Sequence, residues 1–144
     1  NLDFHARLHG LSDRVRDRRV TEVIELSGLS GSADMAVEAY SPAMVQRLEI
    51  ARAFLAHPGV LFLAEPTKGL DDSGRREIWD LLRWMNSERR VTIVFTTHDL
   101  DEAAAICNRV AVVDGGEVVA LDTPETFSSL LAISDRMLKF DGTS

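Results

Sequence analysis

Apolar positions along this chain change period several times, and each change marks an element. Phe4, Leu8, Leu11 and Val15 recur at helical spacing, and Val20, Val23, Ile24 and Leu26 do the same until Gly28 stops them. Residues 29–38, rich in Ser, Gly and Asp, read as a connection. Met44, Leu48, Ala51 and Leu55 form the apolar stripe of a helix over about residues 44–56. Ser41 suits its N-cap, Pro42 suits its first turn, and His57-Pro58-Gly59 closes it. The period then disappears. Val60-Leu61-Phe62-Leu63-Ala64 is an unbroken apolar run, the pattern of a parallel strand buried on both faces. It ends at Glu65 and Pro66.

Helical spacing returns with Ile78, Leu81, Leu82 and Met85, preceded by capping residues Asp72, Ser73 and Gly74. Trp79 and Trp84 flank that stripe and read as packing residues. After a charged turn at 86–90, residues 91–96 (Val91 to Thr96) are a second β-branched apolar run. His98 or Asp99 opens a helix over 100–107. Asp114-Gly115-Gly116 between apolar runs at 108–114 and 117–120 signals a hairpin. Thr123-Pro124-Glu125 opens a last helix with cap, proline and acid in favoured places. Residues 132–144 read as a weakly ordered tail, and no internal repeat is visible. Strand, helix, strand, helix, strand predicts an α/β chain with a parallel sheet, right-handed crossovers and one antiparallel hairpin. The divisions expected are a helical part over 1–57, an α/β core over 58–131 and the tail.

Composition narrows the function classes. The chain has 144 residues with 45% hydrophobic content, enough for one compact core. Its net charge of −7 argues against nucleic-acid binding through phosphate contacts. Arg14, Arg16, Arg18 and Arg19 cluster, but Asp13 and Asp17 interrupt them, which reads as a solvated helix face. A single cysteine, Cys107, excludes an internal disulfide, fits a reducing compartment and reads as a small core residue. No apolar run approaches the ~20 residues of a membrane span, and no signal peptide is visible. Asn1 in first place implies processing or a longer parent chain. His5 and His9 share a helix face but lack a carboxylate or thiol partner in register, so no metal site is expected.

Chemistry concentrates after the first strand. A carboxylate at the carboxyl end of a parallel strand stands where open α/β sheets keep ligand sites, although Glu65 also reads simply as a strand-ending polar residue. Around it stand Tyr40-Ser41-Pro42-Ala43-Met44-Val45-Gln46-Arg47 upstream and Thr67-Lys68-Gly69-Leu70-Asp71 downstream. Thr96-Thr97-His98-Asp99 and Val110-Ala111-Val112-Val113-Asp114-Gly115-Gly116 follow.

This order and spacing resemble the second half of an ATP-binding-cassette ATPase, the motor subunit of ABC transporters, and are closest in wording to the drug-exporter type. The resemblance runs from about Leu2 to Leu131. It implies an incomplete RecA-like (P-loop NTPase) parallel sheet with a helical subdomain. It places Glu65 at the general-base position, His98 at the γ-phosphate switch, Ser41 in the signature motif and Asp71 in the loop facing a partner subunit. It implies ATP and Mg²⁺ as the family's cofactors. It also implies a cytoplasmic place, peripheral to the membrane through a partner subunit.

Three departures bear on that chemistry. No G-x-x-x-x-G-K-[ST] loop occurs within these residues. Ala64 stands where the family has the aspartate that supports Mg²⁺. Pro42 and Ala43 replace signature glycines, and proline has no N–H to offer a phosphate. The chain alone is therefore expected to neither bind nor hydrolyse ATP, and to need no cofactor. The absent phosphate-loop strand belongs between the strand of His98 and that of Val110. Its slot calls for closure, a rearranged or domain-swapped sheet, or filling by another chain. The partners expected are a second copy, an ABC permease or a complementary ATPase half. A non-catalytic interaction module is the competing reading.

Overall fold

The computed structural model describes residues 1–129, so the expected tail at 132–144 lies outside the described residues. The chain divides into two compact units, residues 1–96 and the residues from Thr97 onward.

The first unit holds α1 (Leu2–Leu8), α2 (Asp13–Leu26), short 3₁₀ turns at Ser30–Ser32 and Val37–Ala39, α3 (Pro42–Phe54), β1 (Val60–Ala64), α4 (Asp72–Arg89) and β2 (Thr92–Thr96). β1 and β2 pair in parallel, Val60 opposite Thr92 through Ala64 opposite Thr96. Leu48, Ile50, Ala51 and Phe54 of α3 and Ile78, Leu81, Leu82 and Met85 of α4 are buried, together with Val23 of α2 and Leu61 of β1. Helical spacing had marked most of the α3 and α4 stripes. It takes no account of which charged side chains join them.

Three expectations need correction here. Phe4, Leu8 and Val15 are exposed, Phe4 to 60%, whereas Leu2 and Ala6 face inward. α1 packs against α2 and α3 with Leu2 and Ala6 buried, and Arg16 of α2 reaches Asp3 of α1 at 2.6 Å. Second, the arginine cluster is not wholly a solvated face. Arg16 and Arg19 are buried, Arg19 to 2% exposure. Third, β1 is covered on one face only: Leu61 is buried, but Phe62 is 74% exposed, and Val60 and Val94 are half exposed on the same side of the pair. That side also carries Ala64, Thr92 and Thr96 and holds no charge.

Two arginines join α2 and α3 reciprocally. Arg19 of α2 donates to the carbonyls of Phe54 and Leu55 at the end of α3, the latter at 3.1 Å. Arg47 of α3 donates at 3.4 Å to the carbonyls of Ser27 and Gly28 at the end of α2. Each cation therefore meets the negative end of its neighbour's helix, where unsatisfied carbonyls gather. Arg47 also reaches Glu77 of α4 at 3.4 Å.

The second unit holds α5 (Leu100–Ile106), β3 (Val110–Asp114) and β4 (Glu117–Asp122), and residues 124–129 are helical. β3 and β4 form the expected antiparallel hairpin, with a bulge between Val112 and Val113. Gly115 and Gly116 both take positive φ at its turn, a conformation open to glycine without steric cost. The expected parallel partnership of the third strand is not observed: among the described residues β3 pairs with β4 alone, and β1 and β2 form a separate sheet. Cys107 follows α5 and is half-buried; burial, then the neighbouring Glu102 charge, push its thiol pKa up. Among the described residues no helix is long and apolar enough to cross a membrane.

Candidate functional site

Glu65 closes β1 under backbone constraint. Its φ is +44°, a left-handed conformation that costs a non-glycine residue energy unless its surroundings hold it. They do. The Glu65 N–H donates to both the carbonyl and the Oγ1 of Thr96, at 3.0 and 3.2 Å, which extends the parallel ladder one step past Ala64. The Glu65 carbonyl accepts from the Lys68 N–H at 3.1 Å, and Lys68 Nζ lies 3.1 Å from the Glu65 carboxylate. Pro66 and Thr67 are buried beneath this turn. The carboxylate is thus held at the carboxyl end of the strand pair, with an ammonium beside it.

Ser41 and Asp71 each cap a helix. Ser41 Oγ accepts from the Met44 N–H at 3.2 Å, with Pro42 in the first turn of α3. Asp71 Oδ1 accepts from the Gly74 N–H at 2.8 Å and opens α4. The two helix starts abut: a methyl built on Gly74 would lie 3.1 Å from Ala43 Cβ and 3.1 Å from Asp71 Oδ1. Gly74 therefore permits this approach, which places Ser41 and Asp71 on neighbouring first turns. Ser41 keeps a hydroxyl proton for another acceptor.

His98 belongs to the second unit, where it is exposed and precedes the N-cap of α5. Asp99 Oδ1 accepts from the N–H groups of Asp101 and Glu102, and Thr97 Oγ1 accepts from the Asp99 N–H at 3.0 Å. Of the four residues singled out in the sequence, Ser41, Glu65 and Asp71 share the first unit, and His98 is fixed separately in the second.

These residues do not fit a magnesium nucleotide. Ala64 is exposed and offers a methyl group beside Glu65, where a divalent cation needs oxygen. Pro42, in the first turn of α3, offers no N–H to a phosphate. Among the described residues, no group of three or more His, Cys, Asp or Glu side chains could hold a metal ion, so His5 and His9 have no third ligand.

Sequence reasoning missed the Lys68–Glu65 pair and the buried arginines. A signal for the arginines was present: Arg16, Arg19 and Val23 follow helical spacing and continue one stripe of α2.

Comparison with known proteins gives a consistent picture. No protein-family model matches the chain. It is 37% identical over 131 residues to the daunorubicin resistance ATP-binding protein DrrA2 of Streptomyces coeruleorubidus, covering 91% of this chain and 40% of that protein. It is 39% identical over 124 residues to the Nod factor export ATP-binding protein I of Cupriavidus pinatubonensis, covering 86% and 38%. The chain thus spans about two-fifths of the length of these curated relatives. Among solved structures it is similar to cbiO1 from Clostridium perfringens, part of the ABC transporter complex cbiONQ. That match has a TM-score of 0.83 and 32% identity, and covers 96% of this chain and 55% of that one. The dimeric ATP-binding cassette MJ0796 in a post-hydrolysis state with ADP and phosphate matches with a TM-score of 0.65 and 29% identity, over 79% and 49% of the two chains.

Proposed function

We propose, from the premise that the homologues of this chain are ABC transporter ATP-binding proteins, that these 144 residues supply the Glu65- and Ser41-bearing half of an ATPase domain. That half neither binds nor hydrolyses ATP by itself. The observation that carries this reading is the end of β1. The Glu65 backbone is held by Thr96 and by the Lys68 turn, as suits a base, yet Ala64 gives Mg²⁺ no ligand beside it. In this reading Glu65 and His98 hold the positions of base and γ-phosphate contact, Ser41 faces a nucleotide bound by another subunit, and Asp71 faces that subunit.

The partner that fits is a chain or segment bringing a phosphate-binding loop. An ABC permease would serve as the membrane dock, at the cytoplasmic face. The uncharged face of Val60, Phe62 and Val94 favours an interaction role, because parallel sheets are stable when both faces are covered. A second copy could serve as well, which is the non-catalytic, self-associating version.

The test is phosphate release by the purified chain with Mg-ATP, alone and mixed with the phosphate-loop half of one of its relatives. No turnover by the chain alone is expected. Turnover by the chain alone, abolished by Glu65→Gln, overturns the reading.

A further inference from the structure

Lys68 stands beside Glu65 in the turn after β1, and the nucleotide reading gives it no part. Its Nζ lies 3.1 Å from Glu65 Oε2. That oxygen is closed to solvent, although the Glu65 side chain as a whole is 33% exposed. The ammonium therefore meets an oxygen that water does not reach. Both side chains leave from fixed points. The Lys68 N–H donates to the Glu65 carbonyl at 3.1 Å, Thr96 holds the Glu65 N–H, and Pro66 and Thr67 between them are buried. Little backbone freedom is left to lose when the two charges meet.

A carboxylate takes a proton from water through a free lone pair, and an ammonium donating to that lone pair competes with the water. The positive charge also favours the ionised carboxylate, which makes it a weaker base. Lysine suits a removable cover. Its ammonium is a compact charge on a flexible stem, without the fork by which arginine holds a carboxylate in two bonds. The Lys68 side chain is 70% exposed, so the closed pair outweighs its open form by about fivefold at most. A competing anion can therefore draw the ammonium away.

We propose that Lys68 masks Glu65: its ammonium occupies the carboxylate in this chain, and the base is released when a phosphate brought to the site draws the ammonium off. The inference rests on the reading of Glu65 as the base of an assembled ATPase domain, while the pairing itself is open to test in the chain alone. Of the chain's two lysines, Lys68 and Lys139, only Lys68 lies among the described residues, so amine chemistry at this turn reports on one side chain.

The experiment treats the purified chain with a water-soluble carbodiimide and an excess of a small amine, and maps the products by mass spectrometry. In the wild type, Lys68 should capture the activated Glu65 carboxyl. An amide joins the two side chains, the carbodiimide leaves as its urea, and trypsin no longer cuts at Lys68. Lys68→Arg keeps the cation and should leave Glu65 shielded from the added amine. Lys68→Met removes the cation and should raise that labelling about threefold over Lys68→Arg. A cross-link from Lys68 to Asp71 or Asp72 in place of Glu65, or equal labelling of Glu65 in the two variants, overturns the proposal. A second arm adds Mg-ATP and the phosphate-loop half of a relative. Turnover about threefold higher with Lys68→Met than with the wild type supports the mask, and equal or lower turnover overturns it. Turnover in neither mixture counts against the split-ATPase reading, and the cross-link and labelling then decide the mask alone.

Discussion

The two ends of the parallel strand pair treat polar groups in opposite ways. At the amino end, Arg19 is buried, and its donors meet two helix-terminal carbonyls and a carboxylate. At the carboxyl end, Ser41 and Asp71 are exposed and held by bonds within their own turns, and Glu65 is partly exposed, held by its Lys68 turn and by backbone bonds to Thr96. The first arrangement joins elements distant in sequence and sustains the fold. The second presents polar groups at element termini, at modest cost to stability if any one is removed. The difference teaches that residues central to a functional reading need not hold the structure, and that a buried charge absent from that reading can.

Truncating Arg19 should give the largest effect. Arg19→Ala leaves two carbonyls and Glu22 short of a partner and should destabilise the first unit by about 3 kcal/mol, measured by denaturant unfolding. Arg19→Lys keeps the charge but not the fork, and should lose less. A loss under about 1 kcal/mol for Arg19→Ala would remove the contrast between the two ends. Next comes the contact between helix starts. Gly74→Val should cost about 2 kcal/mol through crowding against Ala43 and Asp71, with partial recovery on adding Ala43→Gly. A neutral Gly74→Val would mean that the two first turns do not pack as closely as they stand.

Much of this was legible in the sequence, and the failures share a cause. Ser41, Pro42 and the Gly-Gly hairpin declare themselves through local backbone chemistry, and each stands where expected, whereas the cap of α4 is Asp71 and the expected capping residues Asp72, Ser73 and Gly74 lie inside the helix. Apolar rhythm located β1 and β2, but an apolar run states what a strand needs and not whether its cover lies within the same residues. Phe62 is bare for that reason. Arg16 and Arg19 escaped because formal charge hid their place on a helical stripe. The curled backbone at Glu65 has no composition signal, because its φ is imposed by Thr96 and the Lys68 turn.

Smaller effects belong to the carboxyl end. Ser41→Ala and Asp71→Ala should each cost about 1 kcal/mol, the usual value of an N-cap, without altering the fold by circular dichroism. Lys68→Ala should cost well under about 1 kcal/mol, since Lys68 is mostly exposed. A loss from Lys68→Ala comparable with that of Arg19→Ala would show that the two ends are not different in kind.

Whether these residues alone can seat a nucleotide is decided most directly by calorimetric titration of the purified chain with Mg-ATP, run beside Ala64→Asp. The account predicts no saturable heat for either protein, because restoring one magnesium ligand does not create a phosphate cradle. Saturable low-micromolar binding by the unmodified chain, lost in Glu65→Ala, would contradict it.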